Sequence, residues 1–316
     1  MKNVNSCIRY KILTALIFVL LSLPALSQVD RTKRPEPGPA PEIKLGEYES
    51  FTLDNGLKVF IVENDKIPEV SYSLIIDRDP IVEGDSAGYI SAAGQLLRTG
   101  TATMTKDQID EAVDFIGASL STSSTSVYGS SLKKHTEELL KIFSDVTLHP
   151  KFKQDELDKF KKQTLSEFAS EKDDPNAIAG NVKNALDYGI DHPYGEPMTE
   201  ETVNNISLQM CKDYYDTYFH PNVGYLAIVG DITKDEAEPL IQKYFGSWEK
   251  KDVPKFKYET PQSPSTRIVA IVDRPNAVQS VIHITYPVQL AKNSKDVIPV
   301  SVMNTVLGGA FSSRFM

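Results

Sequence analysis

Five histidines, His135, His149, His192, His220 and His283, are the first candidates for metal or acid–base chemistry in this 316-residue chain. No two of them stand three or four residues apart on one expected helix. His149, His192 and His220 each precede a proline, which favours turns. Zinc requires a cluster of His, Cys or carboxylate ligands, so a site built from these histidines is not expected. The stretch SAGYISAAGQLLRTGT, Ser86 to Thr101, poses a different question. It reads as a helix entered through Gly88 and left through Gly100, with Ile90, Ala93, Leu96 and Leu97 on a buried face. Ser91 and Gln95 then lie one turn apart, where a pair of ligands could converge. A hydroxyl and a neutral amide are poor ligands for zinc.

Other chemistries leave no mark. There is no G-x-S-x-G nucleophile elbow and no phosphate-binding G-x-x-x-x-G-K-[ST] loop. The serines of STSSTSVYGSS read as a polar strand face, the carboxylates of SEFASEKDDP as a solvated helix end, and Trp248 as core or helix-end packing. The net charge of −9 argues against a nucleic-acid partner. Cys7 and Cys211 are the two cysteines. Cys7 lies in a segment expected to be removed, which leaves Cys211 without a disulfide partner.

That segment is residues 1–27. Lys2, Arg9 and Lys11 precede the apolar run ILTALIFVLLSLPAL, and Ala25 and Ser27 supply small residues before a cut at Gln28. The pattern is that of a signal peptide, with a run shorter than the roughly 20 residues of a membrane span. Export to the periplasm or cell envelope is expected.

Residues 28–47, rich in proline and charge, read as a disordered linker. FTLDNGLKVFIVEN reads as a hairpin turning at Asn55-Gly56, and EVSYSLIID as a third strand. TKDQIDEAVDFIG is a helix capped by Thr105 and stopped by Gly117. ASLSTSSTSVYGSSLK gives one or two strands, followed by amphipathic helices over KHTEELLKIFSDVTLHP, QDELDKFKKQTLSEFASEKDDP and AIAGNVKNALDYGI. The helix LQMCKDYYDTYF, the strand GYLAIVGD and the helix TKDEAEPLIQKYFGSW complete an α+β unit over residues 48–248. Residues 249–266 read as a second linker. Residues 267–316 then repeat the opening order, with two strands in RIVAIVDRPNAVQSVIHITYP and a helix in DVIPVSVMNTVLGGAFSSRFM. They are expected to be a truncated second copy of the first unit.

The order of LDNGLKV, GYISAAGQLLRTGT, LSEFASEKDDP, DHPYGEPM, YFHPNVGYLAIVGD and LIQKYFGSW resembles the insulinase or pitrilysin metallopeptidases, the group with an inverted H-x-x-E-H zinc motif. DRPNAVQSVI and LGGAFSSRF resemble the start of that family's second homologous domain. The resemblance implies duplicated α+β domains, each a mixed or antiparallel sheet packed with helices. It also places the zinc motif on the helix between Gly88 and Gly100-Thr101. The two histidine positions fall on Ser91 and Gln95, and the general-base glutamate on Gly94. The distal carboxylate ligand falls on Glu167, 72 residues beyond Gln95, and is kept.

A chain with these replacements is expected to hold no zinc and to lack the base that takes a proton from metal-bound water. The resemblance implies a role as the metal-free, non-catalytic subunit of a heterodimer. Zinc then belongs only to the partner, a homologous active peptidase chain carrying H-x-x-E-H. The family's peptide substrate adds to an edge strand by β-augmentation, and the matching residues are Leu120, Ser121, Thr122 and Ser123. Ser121-Thr122 replaces the family's usual Asn-Ala. Two alternatives remain: a stand-alone peptide-binding module, or an active zinc metalloendopeptidase with atypical ligands.

Overall fold

The computed structural model describes Gly38, residues 46–275 and residues 277–315. The expected signal peptide and nearly all of the first linker lie outside the described residues.

The strands are β1 (Glu49–Thr52), β2 (Lys58–Glu63), β3 (Glu69–Ile76), β4 (Ser119–Thr122), β5 (Ser126–Leu132) and β6 (Gly224–Gly230). The helices are α1 (Tyr89–Leu96), α2 (Lys106–Phe115), α3 (Thr136–Leu148), α4 (Gln154–Glu171), α5 (Pro175–Tyr188), α6 (Glu200–Asn205), α7 (Leu208–Tyr218), α8 (Lys234–Phe245) and α9 (Val297–Asn304). The strands form one mixed sheet in the order β1-β2-β6-β3-β5-β4. β6 runs parallel to β2 and antiparallel to β3, so the chain leaves the sheet after Leu132 and returns at Gly224 to fill its centre.

Period-2 side chains set the two faces. Val59, Ile61, Val70, Tyr72, Leu74, Val127, Leu226 and Ile228 are buried against the helices. The opposite face carries Ile75, Tyr128, Leu132 and Val229 toward solvent. The helix-covered core runs through an aromatic chain, with ring centroids 6.1 Å apart from Tyr72 to Phe143, 6.1 Å from Phe143 to Phe245 and 6.2 Å from Phe245 to Trp248. Trp248 is buried as expected and donates through Nε1 to the Phe219 carbonyl at 3.2 Å.

Local signals fold as their chemistry requires. Gly56 takes φ +93° in the β1–β2 turn, and the side chain of Asn55 donates to the carbonyls of Phe245 and Trp248, tying the hairpin to the end of α8. Thr105 and Gln108 form a complete capping box at the start of α2.

The two strands expected within residues 267–287 do not form. No described residue in that stretch belongs to a strand, and Ile271 is 84% and Val278 98% exposed. An alternating apolar pattern specifies a strand only when a neighbour supplies ladder hydrogen bonds and a covering face, and an isolated pair of strands is marginal. Neither is present for this stretch among the described residues. The turn expected at Pro275-Asn276 lies partly outside them.

Candidate functional site

Helix α1 is held at its start by a carboxylate from outside it. Gly88, in the N-cap position, has φ +108° and carries no capping side chain. The amides of Gly88 and Ile90 instead donate to Oε2 of Glu83 at 3.0 and 2.9 Å. A negative group there also complements the helix dipole. Glu196, from the loop before α6, accepts the amides of Glu83 and Gly84 in turn. Burial pushes the Glu83 carboxyl above its ordinary value of 4.5; the two amides oppose the shift, the charge of Glu196 adds to it, and Arg78 counters it.

Along α1 the candidate positions part company. Ser91 and Gln95 are exposed on one face, while Ala92, Ala93, Gly94 and Leu96 are buried. Gly94 is covered by the β4–β5 turn. A Cβ there would collide with the Ser124 amide nitrogen and the Ser123 carbonyl carbon, and would stand 2.7 Å from the Ser124 Cα. The turn is pinned in place. The Tyr214 hydroxyl donates to the Ser124 carbonyl at 2.6 Å and accepts from Arg78 Nε at 2.7 Å, and the Arg78 guanidinium lies over the Tyr214 ring. The Ile76 amide donates to the Thr125 carbonyl at 2.8 Å, and the Ser123 amide to the Ser126 carbonyl at 2.8 Å.

β4 is an edge strand, with β5 on one side and no strand on the other among the described residues. Of the four residues expected to meet peptide, Leu120, Ser121 and Thr122 lie in β4, whereas Ser123 lies in the turn that follows it. Its bond to Ser126 commits its backbone to the hairpin, and the antiparallel alternation then fixes the rest. Ser121, opposite Tyr128, also bonds inward, whereas Leu120 and Thr122 direct their backbone groups to the open edge. The Leu120 side chain is buried, and Thr122 Oγ1 is buried with no hydrogen-bond partner.

Residues 89–188 match the family described as insulinase (peptidase family M16), and residues 205–316 match the peptidase M16 inactive domain. The chain is an insulinase-family homologue. A relative from Bacillus subtilis (strain 168), named "Uncharacterized zinc protease YmxG", is 25% identical over 271 residues, covering 84% of this chain and 64% of its own length. The crystal structure of a peptidase M16 inactive domain from Pseudomonas fluorescens superposes with a TM-score of 0.69 at 23% identity, covering 85% of this chain and 66% of that one. The periplasmic protease PqqL from Escherichia coli gives a TM-score of 0.58 at 18% identity, covering 69% of this chain and 25% of that one. These structural likenesses establish the fold, and the homologue spans just under two thirds of the first two proteins.

The family's zinc does not fit the side chains at these positions. Two would-be ligands are a hydroxyl and an amide, and Gly94 offers no base and no room for one. Glu167, the expected distal carboxylate, lies on α4, which packs against α1, but it is exposed and accepts from Gln163 Nε2 at 2.9 Å. Among the described residues no three His, Cys, Asp or Glu side chains come together as a ligand set.

The histidines of this homologue serve other ends. His220 is buried, its ring nitrogens 3.1 Å from the Glu249 carbonyl and 2.9 Å from that of Asp216. The His192 ring packs among Tyr188, Tyr194 and Tyr258. Cys211 is buried beside the Tyr89 carbonyl, and burial pushes its thiol up to about 12, which leaves it unreactive. Sequence reading missed Glu83, Glu196, Arg78 and Tyr214. Only Glu83 carries a local signal, an acid shortly before a glycine-entered helix.

Proposed function

We propose that this chain is the exported, non-catalytic subunit of a two-chain zinc peptidase, in which a homologous partner with an intact H-x-x-E-H supplies the metal and the hydrolysis. The observation that carries the reading is the pairing of an emptied ligand helix with an available edge strand. Ser91, Gly94 and Gln95 offer no zinc chemistry, while Leu120 and Thr122 keep backbone groups free for an extended peptide. A chain that presents peptide but cannot cut it acts in concert with one that can. Export rests on the leader-like residues 1–27 and fits the periplasmic neighbour; no described helix is long and apolar enough to cross a membrane.

The test is affinity isolation of the tagged full chain from its native cell envelope, followed by mass spectrometry of what accompanies it. A stoichiometric homologous chain carrying H-x-x-E-H is the expected result. Its absence would contradict the subunit role and favour a peptide-binding module that works alone. The same edge strand supports that second reading.

A further inference from the structure

We infer that Gly94 and Tyr214 are positioning residues for the edge strand: the missing side chain at position 94 lets the β4–β5 turn seat directly on α1, and the Tyr214–Arg78 clasp holds it there. The peptide-binding part of this inference rests on the function proposed above.

The geometry is specific. Backbone atoms of Ser123 and Ser124 occupy the volume that any side chain on Gly94 would need. Backbone cannot swing aside as a flexible side chain can, so the contact admits only glycine without movement of the turn. Two bonds from separate elements converge on that turn, and a third closes it from within. Tyr214 on α7 donates to the Ser124 carbonyl, Ile76 at the end of β3 donates to the Thr125 carbonyl, and Ser123 closes on Ser126. Tyr214 is oriented by Arg78, which also donates to the Asp79 carbonyl at 2.8 Å and lies over Tyr218. The turn immediately follows Thr122, one of the two residues whose backbone faces outward. Moving the turn tilts that edge. The glycine at position 94 is thus the seat of the strand that peptide would join.

The test uses the full chain with Tyr214→Phe, Arg78→Lys and Gly94→Ala, and two measurements. The first is amide exchange at Ile76 and Ser123, which reports seating of the turn without any ligand. The second is the Kd of a fluorescent decapeptide of alternating valine and threonine with lysine ends, chosen as a β-prone cation for an acidic protein. It is read well below every variant's melting temperature. Tyr214→Phe keeps the ring and loses only the hydroxyl. It is expected to speed exchange at both amides and to weaken peptide binding about five- to tenfold, the scale of one hydrogen bond. A merely structural role would lower the melting temperature and leave the Kd of the folded chain unchanged. Unchanged exchange in Tyr214→Phe and Gly94→Ala overturns the inference, as does faster exchange with unaltered affinity. If the unmodified chain fails to bind the peptide, the proposed peptide-binding reading falls, and exchange alone decides the seating.

Discussion

The Ser124 backbone stands where a side chain on Gly94 would have to go, so position 94 is closed to any larger residue unless the turn moves. Ser91 and Gln95 are exposed and could be exchanged for other residues without disturbing the core. Position 94 could not.

The three positions should therefore respond unequally. Ser91→Ala and Gln95→Ala are expected to change stability by less than about 0.5 kcal/mol, as surface substitutions do. Helix propensity alone would favour Gly94→Ala by about 1 kcal/mol. Overpacking against fixed backbone costs about 1–3 kcal/mol, so a net loss is expected. Denaturant midpoints of the three variants check this order, and a more stable Gly94→Ala would refute it.

Thr122 offers a change of opposite sign. Its hydroxyl oxygen is buried with no partner. Thr122→Val keeps the branched shape and removes the unsatisfied group, and is expected to stabilise the chain by about 1 kcal/mol. Thermal melting should show a midpoint raised by about 2–4 °C.

Glu83 should give the chain a pH dependence of definite sign. Burial raises its folded value above 4.5, so the folded state holds the proton more tightly than the unfolded state does. Stability associated with this group is then present below the unfolded value and falls as pH rises through the folded one. Glu83→Gln cannot ionise. The melting temperature of the unmodified chain relative to Glu83→Gln is expected to decline as pH is raised from 4 toward 7. A relative rise would mean that the amides of Gly88 and Ile90 outweigh burial.

Much of the local structure was legible in the sequence because its causes are local. The Asn55-Gly56 turn, the Thr105 cap, the Gly88 entry and the edge-forming serine strand each depend on residues within a few positions. The placement of β6 between β2 and β3 was not legible, since strand pattern carries no pairing address. Nor was the clasp from Tyr214 to Ser124, 90 residues apart, or the Glu196 bond to the Glu83 amide, 113 residues apart. Helix α6 was missed because six residues show no usable period, although Thr199 caps it. Residues 267–287 failed the opposite way: their alternation was plain, but a strand is a property of two partners. At the site, the poor ligand character of Ser91 and Gln95 could be read from their residue types, whereas the filled space at Gly94 depends on a turn some thirty residues away.

Zinc binding is what Ser91, Gly94 and Gln95 are least suited to support. The most direct measurement is the zinc content of the purified full chain after incubation with zinc and passage through a desalting column, compared with Glu167→Ala. No stoichiometric zinc is expected in either protein. One zinc per chain in the unmodified protein, lost in Glu167→Ala, would contradict it and return Ser91 and Gln95 to the role of ligands.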